Sequence, residues 1–84
     1  MYLDNMVLYY KPTCPFCQKV LAFIEEEDIA LPMRNTLEPG VKDDLMRLAG
    51  KGQVPCLIVD GEPMFESDDI IRFLGDVIVE REEG

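Results

Sequence analysis

Residues 6–17 read MVLYYKPTCPFC, a short apolar run followed by a loop and two cysteines that are separated by two residues. The apolar run predicts a buried strand, and a helical pattern is clear from Gln18 onward. The cysteines therefore lie at the junction between a strand and a helix. At a helix N-terminus, unpaired backbone N–H groups and the helix dipole stabilise a thiolate at Cys14. Cys17, one turn inside the helix, is expected to stay protonated and within bonding reach. The stretch predicts a redox-active pair in which Cys14 attacks and Cys17 resolves.

Two other uses of these cysteines are open at this point. A closed zinc site takes four ligands, usually Cys or His, and the chain has three Cys and no His. Zinc would need carboxylates or a second chain, so we expect no metal. The remaining interpretation is a pair of inert buried cysteines, which the position between a strand and a helix makes less favourable than redox chemistry.

Length and charge limit the class of protein. The 84 residues predict one domain, residues 1–84, and we expect a monomer. The 17 acidic and 8 basic side chains give a net charge of −9, which repels nucleic acid. No apolar run approaches the roughly 20 residues of a membrane span. The N-terminal sequence MYLDN resembles no secretory signal, which favours the cytoplasm, where thiols stay reduced.

The chain after the cysteines predicts alternating helices and strands. An extended segment, Ala30–Asn35, follows the first helix, and Pro32 within it makes it an edge strand. A break at Pro39-Gly40 precedes a second helix, which ends at Gly50. The expected apolar faces are Cys17, Val20, Leu21 and Ile24 in the first helix, and Val41, Leu45 and Leu48 in the second.

The last third of the chain predicts a hairpin and a final helix. Cys56–Val59 is an apolar strand, and Asp60-Gly61 is a strong turn signal leading into Met64-Phe65. Ser67 is expected to cap the last helix, whose apolar side is Ile70, Leu74 and Val77. The order β-α-β-α-β-β-α predicts an α/β fold with a four-stranded mixed sheet and three helices.

In this order the chain resembles a glutaredoxin of the thioredoxin fold, from about Met6 to Val79. The segment KPTCPFC, residues 11–17, is similar to the family's K-x-x-C-P-[YF]-C loop. The segment QVP, residues 53–55, stands where the family has Thr-Val-Pro with a cis proline. The segment ESDDI, residues 66–70, resembles both the glutaredoxin Gly-Gly-x-Asp-Asp segment and the Glu-Ser-x-x-Ile segment of glutathione-transferase N-terminal domains.

The resemblance implies that glutathione is the reductant and cosubstrate. Lys11 then pairs with the glycine carboxylate, and Val54 before a cis Pro55 offers its backbone to the tripeptide like a strand edge. Ser67 and Asp68 are expected to take the γ-glutamyl carboxylate and ammonium. The complete set of expected glutathione contacts is Lys11, Phe16, Gln53, Val54, Pro55, Ser67 and Asp68.

Two residues depart from the family pattern. Gln53 replaces the usual threonine, as in the transferase-like glutaredoxins, so side-chain contacts there are expected to differ. Cys56 follows the cis-proline position and is interpreted as a small buried hydrophobic residue, with a second, modifiable thiol near the site as the alternative.

The resemblance implies a glutathione-dependent thiol-disulfide oxidoreductase that reduces protein disulfides or glutathione mixed disulfides. One alternative is an iron-sulfur carrier in which two chains hold a cluster through Cys14 and glutathione, although Pro15 stands where cluster-binding members have Gly or Ser. Another is a non-catalytic module that binds glutathione or a partner. The expected partners are glutathione and disulfide-bonded or glutathionylated proteins.

Overall fold

Seven elements build the fold in the predicted order. The computed structural model describes residues 2–83, so Met1 and Gly84 of the predicted domain lie outside the described residues. The strands are β1 (Met6–Tyr10), β2 (Met33–Asn35), β3 (Cys56–Val59) and β4 (Glu62–Met64), and the helices are α1 (Pro15–Glu26), α2 (Val41–Ala49) and α3 (Ser67–Glu83). This is the α/β fold of three helices and four strands that the sequence predicts.

The strands form one mixed sheet in the order β2-β1-β3-β4. β1 pairs with β2 in parallel, whereas β1–β3 and β3–β4 are antiparallel. β2 lies at an edge as predicted, but it begins only at Met33, after Pro32, because proline has no N–H to donate to a ladder. β4 ends at Met64, so Phe65 lies outside the hairpin strand in which it was expected.

Alternate strand residues divide the core into two halves. Met6 and Leu8 pack with Val20, Ile24, Ile70 and Leu74 against α1 and α3. Tyr9, Cys56 and Ile58 pack on the other face with Val41 and Leu45 of α2. This period of two is the geometry of a strand with both faces buried, and it places α1 and α3 on one side of the sheet and α2 on the other.

Two expectations about the helices are wrong. Leu48 is 55% exposed, because in the last turn of α2 the contact with the sheet passes to Ala49. Ser67 is not the cap of α3: the first helical carbonyl is that of Glu66, which accepts the Ile70 N–H at 2.9 Å. Ser67 is therefore the first residue of the helix. Within residues 2–83, none of the helices has the length and apolar character needed to cross a bilayer.

Candidate functional site

Cys14 stands immediately before the first turn of α1. Its backbone is extended, with φ −87° and ψ 122°, and Pro15 is the first helical residue. Proline is favoured there because the N–H that it lacks would be unpaired in any case. The helix thus begins three residues before its apolar periodicity becomes visible in the sequence. The Gln18 N–H donates to the Cys14 carbonyl at 2.9 Å, which fixes Cys14 at the helix N-terminus.

Hydrogen bonds hold the loop before Cys14 in place. The Cys14 N–H donates to the Lys11 carbonyl at 3.0 Å, which closes a tight turn from strand to helix. The Gln18 side chain reaches back, and its Nε2 donates to the Pro12 carbonyl at 3.0 Å. Both bonds tie the loop to α1, so the approach to Cys14 keeps one shape.

Local hydrogen bonding favours the thiolate of Cys14. A bond from the Cys17 backbone N–H is the main cause that lowers the pKa of Cys14, and the Cys17 side chain, the Phe16 N–H and the charge of Lys11 act in the same direction. Partial burial opposes them. The net direction is downward, as the position at a helix N-terminus predicts.

Cys17 has the opposite environment. It is completely buried, and this burial raises its pKa to about 11. The Lys11 backbone N–H donates to Cys17 Sγ at 3.4 Å, which partly offsets the burial. Neither cysteine is in a disulfide. The pair therefore combines one activated thiol with one protonated thiol behind it.

A cleft of about 560 Å³, a size typical of small-molecule sites, is lined in part by Phe16, whereas Cys14 and Cys17 are not among its lining residues. It brings together three separate parts of the chain: the first turn of α1, the loop before β3 and the start of α3. The lining residues are Phe16, Gln53, Val54, Pro55, Phe65, Glu66, Ser67, Asp68 and Asp69. Six of the expected glutathione contacts thus share one cleft, whereas Lys11 lies outside the lining and faces solvent.

Each part of the cleft offers a different kind of contact. Phe16 is 63% exposed, so its ring forms an open apolar wall instead of filling the core. The Val54–Pro55 peptide bond is cis, as the resemblance implies. Val54 lies outside the strands. Its N–H and C=O form no hydrogen bond with the backbone of residues 2–83. Its N–H and C=O are therefore available to an extended ligand.

The start of α3 supplies the polar end of the cleft. Ser67 is buried, with 8% exposure, although it lines the cleft. Asp68 is bonded through Oδ1 to Nζ of Lys19 on α1, and this ion pair is the main cause that lowers the pKa of Asp68. The carboxylate expected to take an ammonium therefore already has a cation of the same chain beside it.

Sequence reasoning missed several residues at the cleft. Phe65 was expected in a strand, and Glu66 and Asp69 belong to the quoted motif but were given no role. Lys51 was overlooked: its Nζ lies 4.2 Å from the centre of the Phe65 ring, a cation–π distance. The one available signal was its place two residues before Gln53.

The third cysteine is not among the lining residues of the cleft, although it directly follows Pro55. Cys56 is completely buried in the core half that faces α2, and burial raises its pKa. The interpretation as a buried hydrophobic residue is confirmed. Among the described residues, no group of three or more Cys, Asp or Glu side chains is arranged to hold a metal ion.

Comparison with known families gives a match to this chain. The model of the glutathione S-transferase N-terminal domain matches residues 13–77 of this chain. This range includes the two cysteines, the cis proline and the start of α3. No curated protein sequence matches the chain.

Several solved structures share the fold. Glutathione transferase Omega 3C from Trametes versicolor is 26% identical with a TM-score of 0.70, over 90% of this chain and 34% of its own. The holo form of glutaredoxin C1 from Populus tremula x tremuloides is 18% identical with a TM-score of 0.63, over 82% of this chain and 72% of its own. The buckwheat glutaredoxin, in complex with glutathione, is 16% identical with a TM-score of 0.65, over 86% of this chain and 69% of its own.

Proposed function

Because the chain belongs to the family of glutathione S-transferase N-terminal domains, with the thioredoxin-type fold of glutaredoxins, we propose that it is a glutathione-dependent thiol-disulfide oxidoreductase. Its substrates are protein disulfides or glutathione mixed disulfides, and its reacting group is Cys14. The observation that carries the proposal is the contrast within one motif: the pKa of Cys14 is lowered, and that of Cys17 is raised to about 11. Exchange chemistry needs the lowered pKa of Cys14, because only a thiolate attacks a disulfide.

The reaction begins with attack by Cys14. Its thiolate attacks the glutathione sulfur of a mixed disulfide, the S–S bond breaks, and the protein thiol leaves as a thiolate that takes a proton from water. A second glutathione thiolate then attacks the same sulfur and releases Cys14 together with oxidised glutathione. A low pKa helps twice, since Cys14 is first the nucleophile and then the leaving group.

Cys17 supports a second route for protein disulfides. After Cys14 has formed a mixed disulfide with the substrate, Cys17 attacks Cys14 and expels the substrate thiol, which leaves a Cys14–Cys17 disulfide for two glutathiones to reduce. This step requires Cys17 to lose a proton from a buried site, and burial is the main cause that raises its pKa. We therefore infer that the route through Cys14 alone predominates with glutathionylated substrates.

The cleft holds glutathione along the described lining. The tripeptide backbone pairs with Val54, whose own backbone groups are free of such bonds within residues 2–83. The γ-glutamyl group lies at Ser67 and Asp68, at the start of α3, where helix N–H groups favour a carboxylate. Phe16 and Pro55 enclose the cysteinyl part, Gln53 lies beside it, and Lys11 reaches the glycine carboxylate from the rim.

A coupled assay tests the proposal. Glutathione, glutathione reductase and NADPH are supplied with a glutathione mixed disulfide, and turnover is followed through NADPH. We expect turnover to vanish in Cys14→Ser and to persist in Cys17→Ser. Cys56→Ala is the matched control, because it removes a buried thiol on the other face of the sheet and should leave the rate unchanged.

Other outcomes identify the alternatives. A folded wild type without turnover contradicts the proposal. Brown colour after anaerobic purification, lost in Cys14→Ser, would indicate the cluster carrier. Glutathione binding without turnover, together with an ordinary Cys14 pKa, would indicate a binding module.

A further inference from the structure

One ion pair links the active-site helix to the polar end of the cleft. Lys19 lies two residues after Cys17 on α1, and its Nζ is bonded to Oδ1 of Asp68 on α3. The side chains are 54% and 73% exposed. Ion pairs this exposed contribute little to stability, so a structural role does not account for the contact.

The charges around Asp68 define what this end of the cleft can bind. Asp68 lines the cleft, and its interaction with Lys19, assisted by the charge of Arg72, lowers its pKa. Only Oδ1 is engaged by Lys19, which leaves Oδ2 for another donor. Next to it, Ser67 is more than nine-tenths buried yet lines the cleft, and no hydrogen bond to its side chain is present among the described residues. A negative group, a positive group and an unused hydroxyl thus lie side by side.

The γ-glutamyl group of glutathione has a matching pattern. Its α-carbon carries an ammonium and a carboxylate, so a complementary site presents one negative and one positive group a few ångströms apart. Asp68 supplies the first. We propose that Lys19 supplies the positive group and binds the γ-glutamyl α-carboxylate. The Lys19–Asp68 pair then binds both charges of the γ-glutamyl zwitterion. This inference rests on the proposed function and adds a binding residue to it.

Lys19 and Asp68 can each bind a charged group of the ligand at a small energetic cost. In the free protein Lys19 and Asp68 neutralise each other; in the complex each also faces the opposite charge of the ligand, giving a four-membered arrangement of alternating charges. Lysine suits this role because its ammonium is a point charge on a flexible stem, and both side chains stay in water, so little desolvation opposes their movement. A ligand that lacks one of the two charges should lose one of the two contacts.

Three ligands test the two charges of the γ-glutamyl group one at a time in a binding experiment. The first is S-methylglutathione, in which methylation prevents disulfide exchange. The second, with glutaryl in place of γ-glutamyl, lacks the ammonium; the third, with 4-aminobutanoyl, lacks the α-carboxylate. Dissociation constants are measured by NMR titration of the reduced wild type, Lys19→Gln and Lys19→Arg. Arg47→Gln is the matched control, because it removes a cation paired with an aspartate on α2, outside the cleft.

We expect Lys19→Gln to weaken binding of S-methylglutathione about 5-fold, the upper range for an exposed charge pair. The same loss should appear with the glutaryl ligand and should disappear with the 4-aminobutanoyl ligand. Lys19→Arg should recover most of the affinity, and Arg47→Gln should match the wild type for all three ligands.

Three results would overturn the inference alone. These are an equal loss for all three ligands, no loss for any, and tighter binding of S-methylglutathione to Lys19→Gln, which would make Lys19 a competitor for Asp68. If the wild type itself binds none of the ligands and shows no turnover, both this inference and the proposed function are wrong. The spectrum of each variant reports its fold directly.

Discussion

At the scale of single residues, two cysteines three positions apart acquire opposite acid-base properties from their surroundings. Cys14 precedes the helix and accepts hydrogen bonds from backbone N–H groups of the first turn, which have no partner within the helix. Cys17, by contrast, is buried in the core. The sequence motif predicts both positions, because a Cys-x-x-Cys spacing at a strand-to-helix junction places the residues almost one turn apart. The degree of burial at Cys17 could not be predicted, since it depends on how α1 lies on the sheet.

This contrast predicts two separate pH profiles for alkylation by iodoacetamide. Only the thiolate reacts, so a lowered pKa shifts the rise in rate to lower pH and a raised pKa shifts it to higher pH. In Cys17→Ser, the Cys14 rate should rise at a lower pH than that of an unstructured cysteine, because the Cys17 backbone N–H that is the main cause of the lowered pKa remains. In Cys14→Ser, the Cys17 rate should rise only at a higher pH than that of an unstructured cysteine, because burial is the main cause that raises the Cys17 pKa. Rates are measured by mass spectrometry of the labelled peptides.

Lys11→Gln serves as the comparison in that experiment. The charge of Lys11 is the smallest of the causes that lower the Cys14 pKa, and the Cys17 backbone N–H is the largest. The Cys14 profile should therefore move only slightly toward higher pH. A Cys14 profile in Lys11→Gln that matches an unstructured cysteine would show that the charge, not the helix N-terminus, activates the thiol.

At the scale of elements, local signals predict where each helix and strand lies, and tertiary packing decides their ends. The Asp60-Gly61 turn is an example of a reliable signal: both residues have positive φ, 50° and 85°, the conformation that this pair favours in two-residue hairpins. The beginning of α3 is the opposite case. Serine is a good cap by propensity, but Ser67 is drawn one position into the helix and buried against the cleft. Likewise, no local sequence pattern predicts the Lys19–Asp68 pair, because its two residues are 49 positions apart in the chain.

A glycine within a helix and a glycine just after a helix should respond in opposite ways to alanine. Gly75 lies within α3, and a Cβ there would meet only Phe23 Cζ at 3.9 Å, an ordinary contact. Gly75→Ala should raise the free energy of unfolding by about 0.5–1 kcal/mol, because alanine favours the helix interior. Gly50 follows α2 with φ +82°, so Gly50→Ala should lower it by about 1 kcal/mol.

Urea denaturation measures both changes. The two variants have the same chemical difference, so each is the control for the other. Destabilisation by Gly75→Ala would mean that the α1–α3 contact at Phe23 is closer than the structure has it, and an unchanged Gly50→Ala would mean that α2 ends elsewhere.

At the scale of the whole molecule, the sheet divides the core into two halves, and Cys56 packs in the half that faces α2. The alternation of strand residues sends Met6 and Leu8 toward α1 and α3, and Tyr9 and Cys56 toward α2. The fold was predictable from the order of elements and the resemblance. The cleft was predictable only as a set of motifs, since the loop before β3 and the start of α3 meet α1 through the sheet order, which local sequence does not specify.

The net charge of −9 predicts that salt stabilises this molecule at neutral pH. The ion pairs Lys19–Asp68, Arg34–Asp44 and Arg47–Asp44 compensate only part of the charge, and exposed pairs are weak. Repulsion among the remaining carboxylates therefore opposes the compact state. Raising NaCl shortens the screening length from about 30 Å at 0.01 M to about 3 Å at 1 M, so the urea midpoint at pH 7 should rise with salt. Near the sequence pI of about 4.2, where the net charge vanishes, the repulsion fades and the salt effect should shrink. A midpoint at pH 7 that falls with NaCl would mean instead that the ion pairs outweigh the repulsion.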